Sequence, residues 1–345
     1  MRALSGQTDF FGLDLGVTGV RAVEIKGGTT KNLVHYGHAA IEGVAGLSDA
    51  QMDRSKVATV VSQLLKTTGI QTRNVAVNLP SNRVFTAVVD MDKMPAEELA
   101  KTIRFQADSF IPTPLAESKI DWAPLGDSPK DPKKIEVLLS SAPNNYIESR
   151  LEMLESLGLN VIAFEPDNMA LARSLIAADA TQPQMIIDIG SAATDLIVTF
   201  GQVPHLSRSI PVGYQALIQS AAQYLGIDQT QAYQFVFKFG LGKDKLEGKV
   251  YSAIIGTIDN LVAEIEKSIN FFEERYPASK IERVIVTGGA SSLPEFPLFL
   301  ANKFNLNVEI GNPWRNVNYP ARLQNELAAL SNHFAVAVGL AERDA

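Results

Sequence analysis

Two stretches decide how this sequence reads: Phe10-Phe-Gly-Leu-Asp-Leu-Gly16, running on through Val17-Thr-Gly-Val20, and Met185-Ile-Ile-Asp-Ile-Gly190. Each is a short apolar run stopped by glycine, the pattern of a buried strand. Arg21-Ala-Val-Glu-Ile25 alternates and reads as the second strand of a hairpin. Asp14-Leu-Gly16 corresponds to Asp188-Ile-Gly190, so the chain carries a weak internal repeat, and a repeat of this kind implies duplicated halves. Glycine and small hydroxyl residues let backbone N–H groups approach phosphate oxygens. A carboxylate beside them repels phosphate directly. It makes sense if it holds a hydrated Mg²⁺.

The rest of the chain supplies the frame. Leu33 to Ile41 reads as a strand, Ser55 to Thr68 as a helix, and Val75 to Leu79 as a strand stopped by Pro80. The composition changes from Phe85. Pro95 suits a first helical turn, Glu97 and Glu98 favour the helix N-terminus, and Ile111-Pro-Thr-Pro114 ends the helix. A charged loop at Gly126 to Lys134 separates two strands, and a helix at Tyr146 to Leu157 precedes a strand at Val161 to Phe164. Residues 83–163 thus read as a compact α+β insertion. Pro211 to Tyr224 is predicted helical, residues 226–283 mostly so, and Arg283-Val-Ile-Val-Thr287 is a strand ending in Gly288-Gly289.

The 345 residues are 46% hydrophobic and 20% charged, as expected of an ordinary folded chain of about two domains. The net charge of −7 disfavours binding to nucleic acid or anionic lipid. With no cysteine there are no disulfides and no thiolate chemistry. Residues 1–9 lack the pattern of a signal peptide, no apolar run approaches the ~18 residues of a membrane helix, and Leu340 to Ala345 is not an amphipathic tail. A cytoplasmic protein is expected.

Five motifs in order carry a resemblance. They are Gly12-Leu-Asp-Leu-Gly-Val-Thr-Gly-Val-Arg21, Phe164-Glu-Pro-Asp-Asn-Met-Ala-Leu-Ala-Arg173, Ile187-Asp-Ile-Gly-Ser-Ala-Ala-Thr-Asp195, Ile285-Val-Thr-Gly-Gly-Ala290 and Ala335-Val-Ala-Val-Gly-Leu-Ala341. The chain resembles the actin-like ATPase superfamily, with FtsA, MreB and the heat-shock chaperone ATPases. Met94-Pro-Ala-Glu-Glu-Leu99 with Ala107-Asp-Ser-Phe-Ile-Pro112, then Ser209-Ile-Pro-Val-Gly213, then Glu264-Ile-Glu-Lys-Ser-Ile-Asn-Phe-Phe272 are similar to the PilM family of type IV pilus assembly. The resemblance implies an α/β, actin-like (FtsA-like) two-lobed fold with duplicated sheet-and-helix lobes around a nucleotide cleft. It divides the chain into an N-terminal lobe (1–82), an inserted partner-binding subdomain (83–163), a connecting helix (164–184), the second lobe's phosphate hairpin (185–225), a helical subdomain (226–283), the adenosine motif (284–322) and a C-terminal connecting helix (323–345).

The resemblance also implies ATP and Mg²⁺ as ligands. Asp14 and Asp188 are the expected metal residues. Gly16, Thr18, Gly19, Gly190, Ser191 and Thr194 are expected to supply phosphate donors, with Gly213 in the turn that follows. Arg21 stands where the family often has lysine, which changes reach and geometry. Gly288 and Gly289 are expected at the adenosine, Glu264 and Lys267 at the ribose and adenine, though a surface ion pair explains the last two as well. Glu165 matches a position that orients the attacking water. Tyr214 and Ile218 replace a glycine and a threonine near the expected cleft, so slow or no ATP hydrolysis is expected. His35 and His38 read as ordinary imidazoles without companion ligands. Gly240-Leu-Gly-Lys243 lacks P-loop spacing, and Phe235, Phe237 and Phe239 read as core.

As a partner the resemblance implies the N-terminal cytoplasmic tail of a PilN-like inner-membrane protein, docked beside the insertion, with Val88, Met91, Met94 and Phe110 as apolar candidates. Contact with the pilus motor ATPase and a homo-oligomer or ring stay open, and the membrane is reached only through a partner. The alternatives are an ATP-hydrolysing FtsA- or MreB-like filament protein, a sugar or acetate kinase of the same superfamily, and a relative serving type II secretion or competence.

Overall fold

The computed structural model describes residues 9–28, 30–41 and 50–343. The segment 1–8, which carries most of the expectation of no signal peptide, lies outside the described residues, as do 344–345. In chain order the strands are β1 (Phe11–Leu15), β2 (Gly19–Lys26), β3 (Lys31–Ala40), β4 (Asn74–Leu79), β5 (Phe85–Asp92), β6 (Ser118–Asp127), β7 (Lys134–Pro143), β8 (Asn160–Pro166), β9 (Gln184–Ile189), β10 (Thr194–Phe200), β11 (Val203–Ile210), β12 (Arg283–Thr287), β13 (Asn307–Ile310) and β14 (Val317–Asn318). The helices are α1 (Gln51–Thr68), α2 (Ala96–Gln106), α3 (Asn144–Glu155), α4 (Asp167–Leu175), α5 (Tyr214–Leu225), α6 (Gln229–Phe239), α7 (Lys249–Arg275), α8 (Phe296–Phe304) and α9 (Gln324–Ala341).

These form two compact units. The first holds Met1–Pro80, Asn145–Leu175 and Asn312–Ala345. Its sheet has the order β14-β3-β2-β1-β4-β8. Helices cover both faces, which is why β1 is buried along its whole length, with Asp14 its one charged residue. On one face Phe11 and Leu13 meet Val57, Val61 and Leu64 of α1 and Leu154 of α3. On the other, Val23 meets Phe334 and Val338 of α9. A Cβ on Gly12 would lie 2.4 Å from the Ala337 carbonyl oxygen, so only glycine lets β1 run against α9.

The second unit holds Ser81–Asn144 and Ile176–Gly311. Its main sheet has the order β11-β10-β9-β12-β13 and packs its apolar face on α5, α6 and α7. Ile254, Ile258, Leu261, Val262, Ile265 and Phe272 form the buried stripe of α7, at the spacing of one helical face. Phe235, Phe237 and Phe239 lie on α6 and pack partly buried against this core.

The insertion is smaller than the expected 83–163. Its sheet, β5-β7-β6, ends at Pro143. The following α3 packs into the first unit, and β8 pairs in parallel with β4, where Val161 and Phe164 join the core. Helix α2 covers one face of the insert through Leu99 and Ile103, which meet Met91, Val137 and Leu139. Met91 is therefore core, and Met94 and Phe110 pack against it, so three of the four expected docking residues are already engaged. The opposite face belongs with the rest of the second unit. Arg275 Nη2 at the end of α7 lies 2.6 Å from Glu136 and 3.0 Å from Asp90, and the Tyr276 hydroxyl donates to Glu136 at 2.8 Å.

Candidate functional site

Each unit gathers polar residues at the carboxyl ends of its central parallel strands, where open α/β sheets bind their ligands. In the first unit these are β1 and β4. Asp14 is buried, and Arg21 Nη1 lies 3.1 Å from its Oδ2. Burial pushes the Asp14 carboxyl above its usual range, while the charge and hydrogen bond of Arg21 pull it back. Arg21 also donates to the Gly19 carbonyl at 3.3 Å, so its guanidinium folds over the turn. Gly16 makes room for it, since a Cβ there would stand 2.5 Å from Nη1.

Sequence reasoning missed Asn78. Its Oδ1 accepts from the Leu15 amide at 2.7 Å and its Nδ2 donates to Asp167 at 3.0 Å, tying the end of β1 to the start of α4. The signal was present as a polar residue inside the apolar run from Val75 to Leu79.

Glu165 is 3% exposed, and both of its oxygens are paired. Arg173 holds one at 2.6 Å and Arg343 the other at 2.7 Å. A general base needs a lone pair turned to water. This pairing instead gives Glu165 a structural role, joining β8 to α4 and the end of α9.

In the second unit the strands are β9 and β12. Thr287 is paired with Asp188, Asp188 with Asp195, and Asp195 with Ser209, across four adjacent strands. Cross-strand partners share a face, so two carboxylates stand side by side with a hydroxyl residue at each end. Asp195 was quoted within the second hairpin but not picked as a site residue; a recurring strand pattern shows a residue's face only once register is known. Burial raises the Asp195 carboxyl, and a hydrogen bond from Ser209 opposes the shift. Gly288 has φ +81°, and a Cβ there would stand 2.2 Å from Asp188 Oδ1. This is a backbone that only glycine adopts freely, and its closeness cradles the carboxylate. Gly289 continues that turn.

Several expected phosphate donors are already spent. The Thr194 hydroxyl donates to the Val212 carbonyl at 2.6 Å. The amides of Gly16 and Gly190 close their own turns onto Gly19 and Ala193 at 3.0 and 2.9 Å. Gly19 makes room for β3, with a Cβ position 2.9 Å from the Ala39 carbonyl, and the Thr18 carbonyl accepts from the Ile41 amide. Gly213 packs on the second hairpin, where a Cβ would lie 2.4 Å from the Ser191 carbonyl oxygen. The carbonyls of Gly190 and Ser191 cap α5 by accepting from Tyr214 and Gln215, each at 3.0 Å. By contrast, the Ser191 hydroxyl is buried with no hydrogen-bond partner among the described residues.

Glu264 and Lys267 are ion-paired at 2.6 Å on the exposed side of α7, and Arg208 of β11 completes the group. The hydrogen bond from Lys267 holds the Glu264 carboxyl below its usual range. One turn earlier, Leu261 lines a small apolar cavity with Ile189, Gly213, Ala290 and Leu293, which brings α7 to the edge of the hairpin. His35 and His38 are no metal site: His35 bonds Glu24 at 2.6 Å, and His38 meets the ring of Phe334 edge-on.

The donors present fit a hydrated divalent cation beside phosphate. Asp195 Oδ1, Thr287 Oγ1 and Ser191 Oγ are all shut off from solvent without a hydrogen-bond partner among the described residues. Buried polar atoms left this way need a partner. No group of three or more His, Cys, Asp or Glu that could hold a metal ion occurs among the described residues. No described helix is long and apolar enough to cross a membrane.

Comparison with known proteins gives the family. Among solved structures the chain is similar to a PilM–PilN type IV pilus biogenesis complex, with TM-score 0.84 and 23% identity over 96% of this chain and 97% of that one. It is also similar to the ethanolamine utilization protein EutJ from Carboxydothermus hydrogenoformans, with TM-score 0.59 and 12% identity over 96% and 88%. MreB 5 of Spiroplasma citri bound to AMPPNP matches with TM-score 0.56 and 14% identity over 96% and 95%. At such identities these likenesses establish the actin-like fold. The sequence profile described as Type IV pilus assembly protein PilM matches residues 12–345, so the chain belongs to the PilM family of type IV pilus assembly proteins.

Proposed function

We propose that this protein is a nucleotide-binding assembly component of the type IV pilus machine that holds the short cytoplasmic tail of a PilN-like inner-membrane protein. The observation that carries the reading is the family match along residues 12–345. Likeness to a solved PilM–PilN complex supports the choice of partner. ATP with Mg²⁺ is the ligand that suits the two Asp-x-Gly hairpins, with Asp188 and Asp195 side by side, Thr287 next to Asp188 with a hydroxyl unpartnered among the described residues, and Arg21 over the first turn. Glu264 and Lys267 on α7, with Gly288 and Gly289, complete the nucleoside side of this proposal.

The chain is acidic, with a net charge of −7, so the membrane is reached through the partner rather than through anionic lipid. An extended tail in a preformed groove is a recurring recognition mode. With Met91, Met94 and Phe110 engaged in the insert, the tail's own apolar side chains supply the anchors. Two or three of them bring about 1.5–3 kcal/mol each, enough to offset much of the ordering cost.

Flotation with liposomes tests this. The chain is expected to float with liposomes that carry a PilN-like tail and to stay in the dense fraction with bare liposomes. Equal flotation in both refutes recruitment by the partner.

A further inference from the structure

The end of α9 buries a carboxyl that makes no hydrogen bond. Glu342 is 3% exposed, and neither of its carboxyl oxygens has a hydrogen-bond partner among the described residues. It caps the C-terminus of α9, where the helix dipole is negative and repels an ionised carboxylate. Its amide donates to the Val338 carbonyl at 2.9 Å, so the packed turn holds the side chain out of water.

Cations stand around it, but each is committed to another acceptor. Lys31 of β3 donates to the Glu342 carbonyl at 3.1 Å, which leaves its ammonium 3.7 Å from the carboxyl. Arg173 of α4 donates to the Gly339 carbonyl at 2.7 Å and to Glu165 of β8 at 2.6 Å. Arg315, in the turn Pro313–Asn316, donates to the Leu175 carbonyl at 2.8 Å. These bonds satisfy carbonyls that the ends of α9 and α4 leave free. Arg343, next in the chain, donates to the second oxygen of Glu165 at 2.7 Å, while its amide closes on Leu340 at 3.3 Å. The same short turn therefore carries a buried acid and a basic side chain that fastens α9 to β8.

An ionised Glu342 would have lost its water and gained no donor in exchange. Burying a charge in that way costs far more than burying a neutral carboxyl. Burial accordingly pushes the carboxyl up to about 7, with Lys31, Arg173 and Arg315 pulling against it. The folded value lies above the ordinary 4.5, so the packed turn is favoured at low pH and that preference is lost as pH rises through about 7. Opening one helical end hydrates the charge at far lower cost than unfolding the unit.

We propose that a proton on Glu342 operates a clasp at the end of α9. With the carboxyl neutral, the turn stays packed and Arg343 reaches Glu165. With the carboxyl ionised, the turn opens to water and Arg343 lets go, leaving Arg173 as the remaining hold on that carboxylate. Every part of the clasp lies in the first unit, and it works with or without a nucleotide.

The test is hydrogen exchange of the full chain read by mass spectrometry at about pH 6 and about pH 8, with each rate divided by the intrinsic rate at that pH. In the wild type, protection of the amides of residues 338–343 is expected to fall roughly tenfold between the two, the ratio that linkage gives for these folded and unfolded values. In Glu342→Gln it is expected to stay level. Arg343→Gln is expected to lower protection already at the acid pH, because the clasp has lost its catch. Level protection in the wild type overturns the proposal, and so does an equal fall in Glu342→Gln. A tenfold fall that α1 shares is global unfolding and overturns a local clasp. Unchanged protection in Arg343→Gln at the acid pH removes Arg343 as the catch and overturns it as well. If Glu342→Gln does not fold, the wild type and Arg343→Gln decide by the same outcomes.

Discussion

Gly339 of α9 lies against Ala170 of α4 so closely that a Cβ built on it would stand 1.9 Å from the Ala170 carbonyl oxygen. The obstacle is backbone, which cannot rotate away as a side chain can. Ser174 of α4 reinforces the crossing by donating to the Ala335 carbonyl at 2.8 Å.

Gly339→Ala sets two effects against each other. Alanine improves helix propensity by about 1 kcal/mol. Overpacking costs about 1–3 kcal/mol, and a fixed carbonyl puts this contact at the upper end, about 3 kcal/mol. The clash wins, so the urea midpoint should fall by an amount equivalent to about 2 kcal/mol. An unchanged or raised midpoint refutes the contact.

Glu342 makes stability depend on pH. Burial pushes its carboxyl up to about 7 from an ordinary 4.5, against the pull of Lys31 of β3, Arg173 of α4 and Arg315. Because the folded value is the higher one, the stabilising contribution is complete below pH 4.5 and is lost as pH rises through about 7. The loss is on the order of 3 kcal/mol. Glu342→Gln removes the titration, so the variant should gain on the wild type between acid and slightly alkaline pH. Parallel stability profiles for the two proteins count against it.

The contact between Arg275 and Glu136 is a buried ion pair, and its loss should be costly. Arg275→Met leaves the Glu136 carboxylate with Tyr276 but no cation, at a cost of about 3–5 kcal/mol. Replacing both, Arg275→Met with Glu136→Gln, should cost clearly less than the sum of the single changes. Additive single and double changes in denaturant unfolding show that the pair does not couple.

Turnover should be slow. Tyr214 starts α5 against the second hairpin, Ile218 is buried one turn on, and both oxygens of Glu165 are held by arginines. A steady-state phosphate-release assay should stay well below the ~10 s⁻¹ median of enzymes. A rate at that median revives the kinase or motor readings.

What the sequence made legible was what depends on local pattern. The strand before Asp14, its copy before Asp188 and the long apolar stripe of α7 all follow from spacing, as does the fold they imply. What stayed hidden depends on register and on distant partners. Asp195 stands beside Asp188 only because β10 pairs with β9 in that register. The engagement of Thr194 by Val212, and of Glu165 by Arg343, joins residues 18 and 178 positions apart. The end of the insertion was misplaced for the same reason, because β8 is recognised as part of the first unit only by its pairing with β4.

The attachment of the insert by Arg275 and Tyr276 has a mechanical consequence. The chain enters and leaves this subdomain at Pro80–Ser81 and Asn144–Asn145, yet its buried carboxylate is fastened to the end of α7. The insert is thus coupled to one end of a 27-residue helix that carries Glu264 and Lys267 further along. Strain applied to the insert would therefore reach the helix that carries Glu264 and Lys267 without passing through the two chain crossings.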